Sequence, residues 1–214
     1  YFLFMRGSKY GQERRFKMAI KKTETTINIP RPNIQVAKFT IVGTAPLIFH
    51  KWDQKAIDMM LNKQLKKELK GRELRDPDAE YEASFYKNKA GEIAFPANSI
   101  KQAVVDSARN LQDVTMSLLR GALFITGDED GLIKVEYKEK EKRQDMVRVG
   151  MGAADIRFRG QVKDWKMQLI VKYNGDLLSI EQIASLIQYA GFSCGIGEWR
   201  PQKNGDFGTF KLEE

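Results

Sequence analysis

Met167, Leu169, Val171 and Tyr173 form the clearest two-residue apolar period in the chain. A period of two is what a strand with one buried face requires, so this stretch commits the chain to a sheet with a covered side. Ser179-Ile-Glu-Gln182 follows with the spacing of a capping box, which opens a helix. Ile180, Ile183, Ala184, Ile187 and Ala190 then share that helix's inward face. Phe207 to Leu212 fits a last strand. The later half of the chain reads strand, strand, helix, glycine-rich loop, strand.

Upstream, Asn33 to Gly43 alternates well enough for a strand, with Val36, Phe39, Ile41 and Val42 as β-prone apolar groups and Pro30 and Pro32 before it. Asp53 is placed to cap a helix in which Ile57, Leu61, Leu65 and Leu69 repeat every fourth residue and Met60 widens the stripe. That pattern predicts one buried side and a solubilising face of Lys55, Lys63, Lys66, Lys67 and Lys70, ending near Gly71. Residues 72–91 are charged and irregular and read as an insertion, with a turn at Asp76-Pro77-Asp78 and a short strand within Tyr81 to Tyr86. A brief strand and a helix capped by Asn98 come next, with Ile100, Ala103, Val104, Ser107, Ala108 and Leu111 inward. Strands are expected at Gly121 to Ile125 and Leu132 to Tyr137 around an acidic turn, and Lys134 to Arg143 reads as a solvated strand end or an arm. Two helices among well-separated strands imply an α+β fold, a split β-α-β arrangement with helices on one face of an antiparallel sheet.

A chain of 214 residues suits one elaborated domain, expected over 33–214. The formal charge is +8, and residues 1–35 hold eight Lys or Arg against two acids. Residues 1–32 accordingly read as a basic, flexible tail, with Met18 a natural start that leaves 1–17 as an upstream extension or part of that tail. The rest is only weakly basic, so a polyanion surface has to come from local clustering. One cysteine excludes an internal disulfide framework and favours a reducing, cytoplasmic setting. No apolar run approaches the roughly 18 to 20 residues of a membrane span.

The residues present exclude several chemistries. A single histidine, His50, and a single cysteine, Cys194, are too few for a soft metal site, and Asp128, Glu129 and Asp130 lack the spacing of a calcium loop. No metal or cofactor is expected. Cys194 among glycines reads as a small buried group. His50 beside Lys51 and Asp53 suits either a turn hydrogen bond or a general base in phosphodiester chemistry. Neither a P-loop nor a dinucleotide fingerprint is present, so binding without turnover is the favoured reading.

Gly191 to Phe210 places five glycines around Trp199, Arg200 and Lys203. Glycine admits positive φ and close approach, and amides freed from ladders can face an anion. Two cations and an indole there match a phosphate-and-base contact surface. Arg148, Arg157 and Arg159 add forked donors for phosphate. If their segment is extended, Arg157 and Arg159 share one face and Phe158 points oppositely.

Two segments together resemble the RAMP superfamily, the Cas7-like and Cas6-like RNA-binding proteins of CRISPR effector complexes. They are the glycine-rich loop, with Gly195, Gly197, Gly205 and Gly208, and Phe95-Pro-Ala-Asn-Ser-Ile-Lys101 at the entrance to a helix. The strand through Gly43-Thr-Ala-Pro-Leu47 extends the likeness to residues 34–212. The resemblance implies a ferredoxin-like, RRM-type core with inserted segments. It also implies binding of single-stranded nucleic acid, RNA more than DNA, as a homo-oligomer or a subunit of a complex. Lys101, Trp199, Arg200 and Lys203 are its implied contacts, joined by Arg148, Arg157 and Arg159 from the reading of the residues. Two other classes stay open, a metal-independent endoribonuclease and a protein that sequesters a partner protein or small nucleotide.

Overall fold

The computed structural model describes residues 30–52, 54–65, 75–149 and 152–213. The expected cap Asp53, the positions Lys66, Lys67, Leu69, Lys70 and Gly71, nearly all of the basic stretch 1–32 and the side chain of Lys55 lie outside the described residues.

The fold is mixed α and β, with antiparallel sheets. Its centre is a four-stranded sheet of β1 (Ile34–Gly43), β5 (Leu123–Thr126), β9 (Lys166–Asn174) and β10 (Phe210–Leu212), in the order β10-β1-β9-β5. The alternation seen in the sequence sets its sidedness: Met167, Leu169, Val171 and Tyr173 are buried with Ala37 and Ile41. The helices α3 (Ala97–Ser107) and α5 (Ile180–Ser193) pack on each other and reach β5 and β10 respectively. In chain order this framework runs β1, α3, β5, β9, α5, β10.

The capping box of α5 is present in full: Ser179 Oγ accepts from Gln182 N at 3.3 Å, and Ser179 N donates to Gln182 Oε1 at 2.9 Å. Trp165 seals the end of the sheet. Its ring is buried, its Nε1–H donates to the Ala45 carbonyl at 2.8 Å, and it lies where any side chain on Gly43 would stand.

Two long excursions leave this framework. The first contains β2 (Leu47–Ile48), α1 (Gln54–Gln64), α2 (Pro77–Ala83), β3 (Tyr86–Lys87) and β4 (Ile93–Pro96). The second contains β6 (Leu132–Lys134), β7 (Glu139–Val149) and β8 (Ala153–Lys163). They pair into two three-stranded sheets, β2-β8-β7 and β3-β4-β6. Between α3 and β5 lies α4 (Met116–Ala122).

An aromatic cluster fills the first excursion, and Phe85 carries it against β8. The ring centroids of Phe49 and Phe85 are 5.0 Å apart, and those of Phe49 and Phe95 are 5.7 Å apart. Phe85 fits because Gly160 has no side chain; a Cβ there would overlap the ring. Overpacked cores lose about 1 to 3 kcal/mol, so Gly160→Ala is expected to lower the melting temperature, and Phe85→Leu in the same chain to restore part of the loss. Thermal denaturation of the single and double variants checks this.

Several expectations are corrected. Asp76-Pro77-Asp78 is a helix start, not a turn: Asp76 Oδ1 accepts from Asp78 N and Ala79 N, and Pro77 sits where its missing N–H costs nothing. Tyr81 therefore lies on α2, and only Tyr86 of the expected Tyr81–Tyr86 strand is in a strand. The residues from Gly121 begin inside α4, whose cap is Thr115. α3 starts one residue before Asn98, after Pro96, with no side-chain cap. Of the two readings of Lys134 to Arg143, the solvated strand end fits: Glu139 to Arg143 pair along β8 and most of these side chains are exposed. Most consequentially, Ile57, Met60 and Leu61 of α1, and Leu65 just past its end, are exposed, not buried, because α3 and α5 are the helices that cover the sheet.

Candidate functional site

The β2–β8 pairing positions the site. Leu47 lies opposite Val162 and Ile48 opposite Gln161, and Phe49 N donates to the Gly160 carbonyl at 2.8 Å. The next residue out, His50, is thereby brought alongside Arg159, more than a hundred positions away in sequence. Two cavities meet at His50, which lines both.

The first, of about 220 Å³, lies between the start of α3 and the glycine-rich loop. Gln102, Gly195, Gly197, Glu198, Arg200 and Gln202 line it with His50. The loop has its shape from left-handed residues, Gly195 at φ 63°, Gly197 at φ 79°, Trp199 at φ 53° and Gly208 at φ 66°. Several of its amides are bonded within the fold. Ile196 N donates to Gly208 O at 2.9 Å, Glu198 N to Ile48 O at 3.1 Å, Phe207 N to Trp199 O at 3.0 Å and Gly208 N to Pro46 O at 2.9 Å. The expectation of freed backbone donors is corrected for these four positions, where the amides find partners in the fold itself. Arg200 braces the loop, donating from Nη1 to Gly197 O at 3.0 Å and from Nε to Gln202 Oε1 at 3.2 Å.

His50 and Glu198 are 2.7 Å apart, Nδ1 to Oε1. An ionised carboxylate only accepts, so Nδ1 carries the proton and the remaining ring nitrogen, Nε2, is set by this bond. The bond from His50 holds Glu198 below the ordinary carboxylate value of 4.5; burial opposes it, and the charges of Arg159 and Arg200 add to the lowering. A carboxylate lowered on folding stabilises the fold above its unfolded value, and that contribution is lost as pH falls through the lowered one. Glu198→Gln is therefore expected to flatten part of the acid-side decline in stability below about pH 4.5, checked by melting temperatures measured from neutral to acid pH.

The second cavity, of about 500 Å³, is lined by Trp52, Arg148, Arg157, Phe158 and Arg159 with His50. Arg157 and Arg159 do share one face of β8, but their surroundings differ. Arg157 is exposed and pairs with Asp155 at 2.9 Å. Arg159 is 7 % exposed, its Nη1 lies 3.2 Å from Asp145, and its buried Nε has no hydrogen-bond partner among the described residues. The outward orientation expected of the pair thus holds for Arg157 alone.

The expected contact residues do not converge on one surface. Gly195, Gly197 and Arg200 line the first cavity, and Arg148, Arg157 and Arg159 the second. Trp199, 37 % exposed, and exposed Lys203 belong to the same loop but line neither. Gly205 and Gly208 serve the loop's packing, since a Cβ would overlap the Trp199 carbonyl at one and the Ile196 carbonyl at the other. Lys101 stands apart: its Nζ donates to the Arg120 carbonyl at 3.0 Å and lies 4.0 Å from the Phe124 ring centroid, and burial lowers its pKa.

Sequence reasoning missed Trp52 and the amide side chains Gln102 and Gln202. No local pattern separates an exposed tryptophan from a packed one, and Gln102 sits on the same helical repeat as its buried neighbours. Cys194 is buried and burial pushes its thiol up, which makes it a poor nucleophile. Asp128 spends Oδ1 on Asp130 N and Leu132 N, and no group of His, Cys, Asp or Glu among the described residues is arranged to hold a metal. No helix among them is long and apolar enough to cross a membrane.

No family model and no curated relative matches the sequence. Among solved structures, a chain of the cryo-EM structure of type III-B Cmr-beta bound to cognate target RNA aligns over 85 % of this chain with TM-score 0.54 and 9 % identity. This chain spans 60 % of that chain's length. The crystal structure of Cmr6 from Pyrococcus furiosus aligns over 86 % of this chain and 100 % of its own, with TM-score 0.43 and 10 % identity. At such identities the likeness to the Cmr-beta chain is one of fold, an α and β architecture with antiparallel sheets that this protein shares with a chain of an RNA-bound assembly.

Proposed function

We propose that the protein binds single-stranded nucleic acid, RNA in preference to DNA, as a non-catalytic Cas7-like member of a larger assembly. The observation that carries this reading is that Arg148, Arg157 and Arg159 of the β7–β8 hairpin and Arg200 of the glycine-rich loop line two cavities that meet at His50. Forked guanidinium groups at several points along a concave surface suit a phosphate backbone. The framework order β1, α3, β5, β9, α5, β10 supports a ferredoxin-like core, with the two excursions as insertions into one domain over 33–214. The fold it shares with a chain of an RNA-bound assembly favours RNA.

Assembly, with further copies of itself or with other subunits, is supported by the uncovered face of the central sheet, where Ile34, Val36, Phe124 and Ile170 are exposed. The single cysteine fits a cytoplasmic setting.

Fluorescence anisotropy with labelled single-stranded RNA, single-stranded DNA and double-stranded RNA, each over a salt series, tests the reading. Affinity for single-stranded RNA is expected to be highest and to fall linearly in log–log form as salt rises. Absent or salt-insensitive binding to both single strands would falsify it.

A second reading has one specific observation behind it, the 2.7 Å His50–Glu198 bond, because a carboxylate that orients an imidazole is an arrangement a general base needs. Cleavage of labelled RNA in chelator, abolished by His50→Ala, would replace the non-catalytic reading with this one.

A further inference from the structure

The second cavity has a feature that phosphate binding alone leaves unexplained. Trp52 stands on its wall 60 % exposed, with Met60 beside it and arginines lining the same space. An indole left this open forgoes much of the burial that aromatic side chains contribute to folding, and a flat π face beside cations is what a base needs in order to stack.

The charges around it are unbalanced in the same sense. Asp145 serves two guanidinium groups at once, Arg143 at 2.7 Å and Arg159 at 3.2 Å, and the buried Nε of Arg159 has no acceptor among the described residues. Asp155 likewise divides itself between Arg75 at 2.9 Å and Arg157 at 2.9 Å. The one carboxylate among the described residues lining the cavity, Glu80, gives both oxygens to Arg75. Arg148 and Lys51 add further positive charge. A space of about 500 Å³ lies within the range of pockets that hold small organic ligands.

We infer that this cavity is a subsite for one nucleotide, whose base stacks on Trp52 while its phosphate lies between Arg148 and Arg157, with the under-neutralised Arg159 behind them. The inference rests on the nucleic-acid reading and adds to it a single position where the base, and not only the backbone, contributes affinity. Stacking accepts any base, so the subsite adds grip without demanding a sequence.

The test uses the full chain with two single-stranded oligoribonucleotides of equal length, one of adenosines and one of abasic ribose phosphates. Trp52→Ala is expected to weaken binding of the adenosine oligomer roughly tenfold, within the range found for loss of one base–aromatic stack. It is expected to leave binding of the abasic oligomer unchanged, and Trp52→Phe is expected to recover most of the loss. In a Trp199→Phe background the adenosine oligomer is expected to quench the remaining exposed indole, and adding Trp52→Phe to remove that quenching. Equal affinity of Trp52→Ala and the wild-type chain for the adenosine oligomer overturns the subsite, as does an equal loss on both oligomers. If the wild-type chain binds neither oligomer, the nucleic-acid reading itself is overturned, which separates the two failures.

Discussion

Arg148→Ala combined with Arg157→Ala is expected to weaken single-stranded RNA binding by an order of magnitude or more at low salt. It is also expected to make the log–log salt dependence shallower by roughly 1.4, since each lost phosphate contact on a single strand removes about 0.7 from the slope. Arg148 is exposed and Arg157 keeps only a shared carboxylate, so both are available for a backbone. Their removal leaves the core untouched, and the melting temperature is expected to stay near that of the parent. Arg159→Ala is a different case. It removes one of two guanidinium groups over the buried Asp145, so a loss of binding there is confounded by a loss of stability. Salt titrations of anisotropy on the double variant, alongside its melting curve, give the measurement. An unchanged slope would place the phosphate track elsewhere, with the loop residues Trp199 and Lys203 as the next surface to vary.

Gly208→Ala is expected to be the most damaging single methyl added to the loop. Gly208 has φ 66°, and a Cβ there would overlap the carbonyl oxygen of Ile196, the residue whose own N–H donates to Gly208 O at 2.9 Å. Left-handed backbone costs an alanine roughly 1 to 2 kcal/mol, and crowding against a fixed carbonyl adds about 1 to 3 kcal/mol. For a chain of this size the sum corresponds to a melting temperature lower by about 5 to 15 °C. Gly91→Ala is the control. That residue has φ 78° but open space around its Cβ position, so only the backbone cost of about 1 to 2 kcal/mol is expected. The same Gly208→Ala substitution displaces Arg200 and Glu198 from the first cavity, and nucleic-acid affinity is expected to fall with it.

The strand at β9 and the capping box of α5 were legible because each depends on residues within a few positions of one another. Side-chain alternation follows from the pleat, and Ser179 and Gln182 satisfy each other across one helical turn. The helix α2 was legible too, but the signal was misread: Asp before Pro is as much a helix start as a turn, and only the continued pairing of Glu80 with Arg75 and of Tyr81 with Phe85 distinguishes them. The stripe on α1 shows the opposite failure. Its period is helical and the helix forms, yet period alone does not say whether a partner surface is present, and Ile57 and Leu61 on this helix are exposed, as is Leu65 just past its end.

The glycine-rich loop shows how far composition carries an argument. Positive φ at Gly195, Gly197 and Gly208 is what glycine permits. The partners of the neighbouring amides are set by where Pro46 and Ile48 pass, and that depends on β2 finding β8.

By itself, the amino-acid sequence determined an antiparallel sheet covered by helices, the start of α5, a glycine-containing loop after it, and arginines spaced to share a strand face. The tertiary structure alone decided that Arg157 is open while Arg159 is buried over a shared aspartate, that Lys101 is turned to Phe124, and that His50 meets Glu198 between two cavities with Trp52 on the rim of one. The reason is physical. Periodicity and caps are energies of neighbours along the chain, whereas burial, shared counter-charges and cavities arise from strand pairings more than a hundred residues apart, whose register is set by which side chains the whole core can exclude from water.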